Sequence, residues 1–172
     1  MIYFDNAASA PVLECARKAA EPFLWECCGN PSSIHSEGRR AALALIEARE
    51  KCAAAVGADP DEIVFTSGGT ESDNTAVRQA LGASAGKRRI VASAIEHPAV
   101  LNTCGALEKS GFEVKYIGVD GGGYVDMEQA RKLITPETTV VSVMAANNEV
   151  GTIQPIRELA ALCRERGALF HT

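Results

Sequence analysis

Three short segments carry residue types suited to holding an anion beside a flat ring. The first is Ser67-Gly68-Gly69-Thr70-Glu71. Its two glycines let a ligand approach the main chain, Thr70 offers a hydroxyl, and a helix that starts here leaves its first N–H groups free. No Gly-Lys-Ser/Thr follows, so the run is not a nucleotide-binding P-loop. Glu71 and Asp73 suit a helix start but repel a phosphate unless they point away. The second segment is His97, which stands just before Pro98. The third is Asn147-Asn148. Each reading has a plainer alternative: a strand-to-helix turn, a capping histidine, a pair of turn residues. Taken together they form a phosphate cradle, an imidazole and an amide for one aromatic anion.

The elements that must position them alternate. Ile63-Val64-Phe65, Arg89 to Ala92, Phe112 to Val119, Thr139 to Met144 and Ala168 to His171 read as strands. Thr70 to Leu81, Pro98 to Ser110, Met127 to Ile134 and Pro155 to Arg166 read as helices, with Gly82, Gly111 and Gly167 as stops and Asp126 with Gln129 as a cap and box. Strands separated by amphipathic helices imply a three-layer α/β fold, a mainly parallel sheet with helices on both faces. All three candidate segments then leave the carboxyl ends of strands, where open parallel sheets bind ligands. Before this region, Glu37 to Val56 reads as one long helix with an apolar stripe of Leu45, Ala48, Cys52 and Ala55. The segments Asp5 to Pro11 and Gly29 to Ser36 read as irregular. The expected division is 1–56, an amino-terminal segment and long helix, and 57–172, a partial α/β domain.

The 172 residues permit one domain of ordinary size, and 47% hydrophobic with 23% charged residues suffices for a buried core. A net charge of -5 makes Lys87-Arg88-Arg89 a solvated turn rather than a nucleic-acid patch. The start lacks a basic, apolar leader, and no apolar run approaches the roughly 18 residues of a membrane span. A cytoplasmic protein is expected. The six cysteines, Cys15, Cys27, Cys28, Cys52, Cys104 and Cys163, form no CxxC pair and no metal-like spacing with the three histidines. Reduced structural thiols are expected, with Cys52, Cys104 and Cys163 on apolar helix faces.

The chain resembles the amino-terminal part of cysteine desulfurases of the NifS and IscS type, in the class V group of pyridoxal-phosphate enzymes. The resemblance rests on Tyr3-Phe4-Asp5-Asn6-Ala7-Ala8, Gly29-Asn30-Pro31-Ser32-Ser33-Ile34-His35, Ile63 to Asn74, Glu96-His97 and Asn147-Asn148-Glu149-Val150-Gly151, in family order. It implies that Gly69 and Thr70 hold the cofactor phosphate. It implies that His97 stacks on the pyridine ring and helps to move protons, and that Asn148 bonds the 3-oxygen side. It places Asn6, Asn30 and His35 near the substrate mouth and gives Glu71 no direct contact.

The implied reaction takes sulfur from L-cysteine, giving alanine and an enzyme persulfide for iron–sulfur cluster or thiolation pathways, in a homodimer with sulfur-acceptor or scaffold proteins as partners. No metal, nucleic acid or membrane is expected. In the family, the aspartate facing the pyridine nitrogen, the tethering lysine and the nucleophilic cysteine come after the position of Thr172. The expectation is therefore a chain that does not catalyse alone. A non-catalytic or dimerisation module, and another class V enzyme such as a selenocysteine lyase, are the alternatives.

Overall fold

The computed structural model describes residues 2–83 and 86–172. Its contacts divide into two compact units, Met1–Phe65 and Thr66–Thr172.

The second unit is built on four parallel strands, β1 (Arg89–Ser93), β2 (Glu113–Ile117), β3 (Thr138–Ser142) and β4 (Leu169–His171), in the order β2-β1-β3-β4. Ile90, Val91 and Ala92 face Val140, Val141 and Ser142 across β1 and β3, and Ser142 faces His171 across β3 and β4. Every residue of β3 is buried, as is β1 from Ile90 to Ser93. That explains why both read as unbroken apolar or β-branched runs: a parallel sheet covered on both faces has no wet side. The side chains sort by parity. Ile90, Ala92, Val114 and Val140 pack with Val77, Val100, Cys104 and Leu107, which lie on α3 (Gly69–Ala83) and α4 (Pro98–Lys109). Val91, Ile117 and Val141 pack with Ala130, Leu159 and Cys163, on α5 (Met127–Leu133) and α6 (Ile156–Arg166). The unit is a three-layer α/β arrangement, as the alternating pattern implied.

Capping residues set several boundaries. Asp126 accepts from Gln129 N at 3.0 Å and opens α5. The expected reciprocal bond of a capping box is absent among the described residues, because the Gln129 side chain accepts from Gly118 N instead. Gly123 takes a φ of +80°, and a Cβ there would lie 3.0 Å from Thr152 Oγ1, so this turn and the segment after β3 are closely packed. Arg88 stacks over Phe112 at 4.6 Å, and Arg89 bonds Glu113 at 2.9 Å. The basic turn is used within the fold.

The first unit holds two helices, α1 (Glu14–Trp25) and α2 (Ser36–Val56). Three expectations are corrected here. Ile63-Val64-Phe65 is not a strand, because no described strand pairs with it; Val64 is 74% exposed. The stripe expected on α2 is not a buried face. Leu45, Cys52 and Ala55 are exposed, and the buried positions are Gly38 and Ala53. Cys52 is therefore a surface thiol, unlike Cys104 and Cys163. Gly38 is buried by close approach: a Cβ would lie 2.3 Å from Ser33 O and 2.8 Å from Asn30 O. That contact seats the 29–35 segment on the start of α2.

Candidate functional site

The start of α3 is built as an anion-ready tip. Ser72 N donates to Gly68 O at 3.1 Å and begins the helical ladder. The N–H groups of Gly68, Gly69, Thr70 and Glu71 meet no acceptor among the described residues. Glu71 turns back, and its Oε2 accepts from Ser67 N at 2.8 Å and from Ser67 Oγ at 2.5 Å. The Ser67 side chain, then its main-chain N–H, holds this carboxyl below its usual range. Of the two carboxylates that could repel an anion, Glu71 is thus held by Ser67, and Asp73 Oδ1 lies 3.6 Å from His171 Nε2. A Cβ at Gly68 or Gly69 would meet nothing within 4 Å, so the space over the tip is open.

Along one face of α3, Thr70, Asn74 and Arg78 recur at the four-residue spacing of neighbouring turns. Asn74 Nδ2 donates to Thr70 O at 2.9 Å. Thr103 Oγ1, buried on α4, lies 2.6 Å from Asn74 Oδ1 and 2.8 Å from Ala99 O. This bridge sets α4 beside α3. His97 caps α4: its Nδ1 accepts from Ala99 N at 3.1 Å. With Nδ1 as acceptor, the neutral ring carries its proton on Nε2. Thr70, Asn74, Arg78, His97, Asn102 and Thr103 border an open cleft of about 300 Å³.

A smaller cleft of about 120 Å³ opens at the carboxyl ends of β1, β3 and β4, bordered by Asp73, Glu96, His97, Ser142, Met144 and His171. His97 is common to both. Glu96 is 7% exposed, and its Oε1 accepts from Met144 N at 2.6 Å. Burial pushes its carboxyl up to about 7, against the bonds from Met144 N and the Ser93 side chain and with help from nearby Asp73. His171 Nδ1 lies 2.9 Å from Ser142 Oγ, and its Nε2 lies 3.6 Å from Asp73 Oδ1.

The segment after β3 folds back on itself through Gln154 N to Ala145 O and Asn147 N to Thr152 O, both 2.9 Å. Asn147 is buried, and Asn148 is exposed within the turn, its Nδ2 3.3 Å from Glu149 Oε1.

Thr70 and His97 share the larger cleft, and Gly69 sits at the helix tip beside Thr70. Asn148 lies on the segment after β3 and borders neither cleft. In the first unit, Asn6 is exposed in a turn, Asn30 Oδ1 accepts from Ser32 N at 2.9 Å, and His35 Nδ1 caps α2 by accepting from Gly38 N at 3.3 Å. Asn74, Arg78 and Glu96 carry no role in the sequence reading, and Asn147 enters it only with Asn148 as a candidate amide segment. The spacing of Thr70, Asn74 and Arg78 was a usable signal, and so was the place of Glu96 next to His97. Among the described residues, no lysine or cysteine borders either cleft. No described helix is long and apolar enough to cross a membrane.

Residues 2–172 match the aminotransferase class-V family model. The chain is 48% identical over 172 residues to the cysteine desulfurase IscS of Dictyoglomus turgidum, covering 99% of this chain and 44% of that protein. It is 50% identical over 173 residues to a cysteine desulfurase of Gluconacetobacter diazotrophicus, covering 99% and 43%. Among solved structures it superposes on a NifS-like protein with a TM-score of 0.94 and 42% identity, covering 99% of this chain and 47% of that one. It superposes on SspA in complex with cysteine with a TM-score of 0.92 and 40% identity, covering 99% and 49%. The chain spans less than half the length of the curated relatives it matches, and it corresponds to their amino-terminal part. Its glycine-opened helix, histidine cap and parallel sheet are thus those of a chain that belongs to the aminotransferase class-V family.

Proposed function

We propose that this chain supplies the phosphate-holding and ring-facing part of a pyridoxal-phosphate-dependent cysteine desulfurase. The observation that carries this reading is the sharing of one cleft by Thr70 and His97, beside four main-chain N–H groups that have no acceptor among the described residues. The donor set fits a phosphate monoester. It combines helix-start amides, a hydroxyl and open space at two glycines, with the Glu71 carboxylate turned back onto Ser67.

Bound pyridoxal phosphate would supply an electron sink for chemistry at the substrate's α-carbon. On this reading Gly69 and Thr70 receive the phosphate. His97 is held in one orientation by its cap, with Nε2 left to hold or pass a proton. Asn148 would hydrogen-bond the ring's 3-oxygen side, and Asn6, Asn30 and His35 would serve the substrate side. Residues 57–172 form the first part of the cofactor-holding domain. The substrate is L-cysteine, the acceptors are sulfur-carrier or iron–sulfur scaffold proteins, and the working form is a cytoplasmic homodimer.

Among the described residues the two clefts have no lysine or cysteine at their borders, so on this reading the covalent tether and the sulfur nucleophile come from elsewhere in a working enzyme. The chain alone is expected to release no sulfide from cysteine. Substituted for the matching amino-terminal part of the Dictyoglomus turgidum enzyme, it is expected to restore cysteine-dependent sulfide release, with His97→Ala lowering that rate at least a hundredfold. A folded chimera that binds pyridoxal phosphate but leaves cysteine untouched would refute the substrate assignment.

A further inference from the structure

The loops after β1 and β3 are joined by two hydrogen bonds, and in each a side chain of one loop reaches the main chain of the other. From the first loop, Glu96 Oε1 accepts from Met144 N on the second at 2.6 Å. From the second, Asn147 Nδ2 donates to Ile95 O on the first at 2.9 Å. Each is a buried side chain, 7% and 6% exposed, that reaches a main-chain atom of the opposite loop. Neither bond belongs to the sheet, whose ladder between these strands ends at Ala92 and Ser142. Asn147 Oδ1 also accepts from Glu149 N at 2.8 Å and Val150 N at 2.9 Å, so one side chain fixes the chain on the far side of Asn148. On the other loop, Ile95 and Glu96 lead directly into His97.

We propose that Glu96 and Asn147 are positioning residues, a reciprocal latch that presents His97 and Asn148 as one unit. A single cross-loop bond leaves either loop free to pivot about it. Two bonds at separate points, one from each loop's side chain to the other's main chain, fix both separation and register. The far side of the Asn148 segment is already anchored, because Thr152 Oγ1 donates to Gly122 O at 2.6 Å and Gln154 Nε2 to Gly123 O at 2.7 Å. The latch therefore controls the side turned toward His97. The ionisable groups facing Glu96 are Asp73 from α3, His97 at the cap of α4, Cys104 from α4, and His171 from β4. The function assigned to this latch rests on the cofactor reading above; its existence does not.

Amide hydrogen exchange on the full chain without ligand tests it. A latch transmits, so Asn147→Ala should speed exchange of the Ala99 amide, which reports the His97 cap, about tenfold. Glu96→Ala should do the same for the Glu149 and Val150 amides on the opposite loop, and Glu96→Gln, which keeps an acceptor, should restore protection. The Val114 amide in β2 should not change, which separates a local release from general loosening. Asn147→Asp, which keeps the acceptor and loses the donor, replaces the alanine variant if that fails to fold. Titration with pyridoxal phosphate then reads the consequence: each alanine variant should weaken uptake about tenfold, and the double variant no more than either. Variants that loosen only their own loop would overturn the latch. A wild-type chain that takes up no pyridoxal phosphate would overturn the cofactor reading, and the exchange data would still decide the latch.

Discussion

Replacing Glu96 with glutamine should stabilise the protein in alkaline solution and leave it almost unchanged in acid. Glutamine keeps the oxygen that accepts from Met144 N and removes the ionisation. The native carboxyl is pushed from 4.5 up to about 7, chiefly by burial. Between those values the unfolded chain has lost the proton and the native chain still holds it. Native protein therefore binds more protons, and stability falls as pH rises through this window. The penalty is complete above pH 7 and absent below pH 4.5. A shift of this size corresponds to roughly 3 kcal/mol at full expression. Water entering the small cleft screens part of it, leaving about 2 kcal/mol. Urea unfolding followed through the amide signals of β1 and β3 should give Glu96→Gln an advantage of about 2 kcal/mol at pH 8.0. The advantage should shrink to a few tenths at pH 5.0. An advantage of equal size at both pH values, or a wild-type chain that is the more stable at pH 8.0, would refute the reasoning.

Thr70→Val should weaken pyridoxal phosphate uptake about tenfold through loss of one hydroxyl donor, measured by equilibrium dialysis, with little change in thermal unfolding. Gly38→Ala should destabilise the first unit by about 1–3 kcal/mol, because its Cβ would lie 2.3 Å from Ser33 O; faster proteolysis within residues 29–56 would report it. Exposed Cys15, Cys28 and Cys52 should react with a thiol reagent well before Cys104 and Cys163, whose thiols burial pushes up to about 11; mass mapping at partial modification reads the order.

The second unit was legible because its signals are local. β3 is buried on both faces and so reads as a β-branched run, and Asp126 marks the start of α5 by a bond three residues away. Thr70 and His97 were legible for the same reason, each standing where an apolar run gives way to a helix. What the sequence hid depends on contacts across the chain. Gln129 has the right spacing for a capping box and spends its side chain on Gly118. Ile63 to Phe65 has strand composition and no described strand beside it. The α2 stripe has helical period, but Leu45 is 45% exposed while Gly38 and Ala53 are buried. Helix α1 carries Pro22 inside it and no capping side chain at Leu13, so its usual start signal is missing. Glu96 and Asn147 matter through each other's loop, 51 residues apart by their numbers (147 less 96), and no local pattern announces such a pair.

In the proposed function the tip of α3 and the ring of His97 receive one phosphorylated aromatic ligand. Titrating isotope-labelled chain with pyridoxal phosphate, and with inorganic phosphate as comparison, tests it most directly. Saturable shifts are expected of the Gly68, Gly69, Thr70 and Glu71 amides with both ligands, and of the His97 ring with pyridoxal phosphate only. Shifts that bypass residues 68–71, or a His97 ring that does not respond to the aromatic ligand, would contradict it.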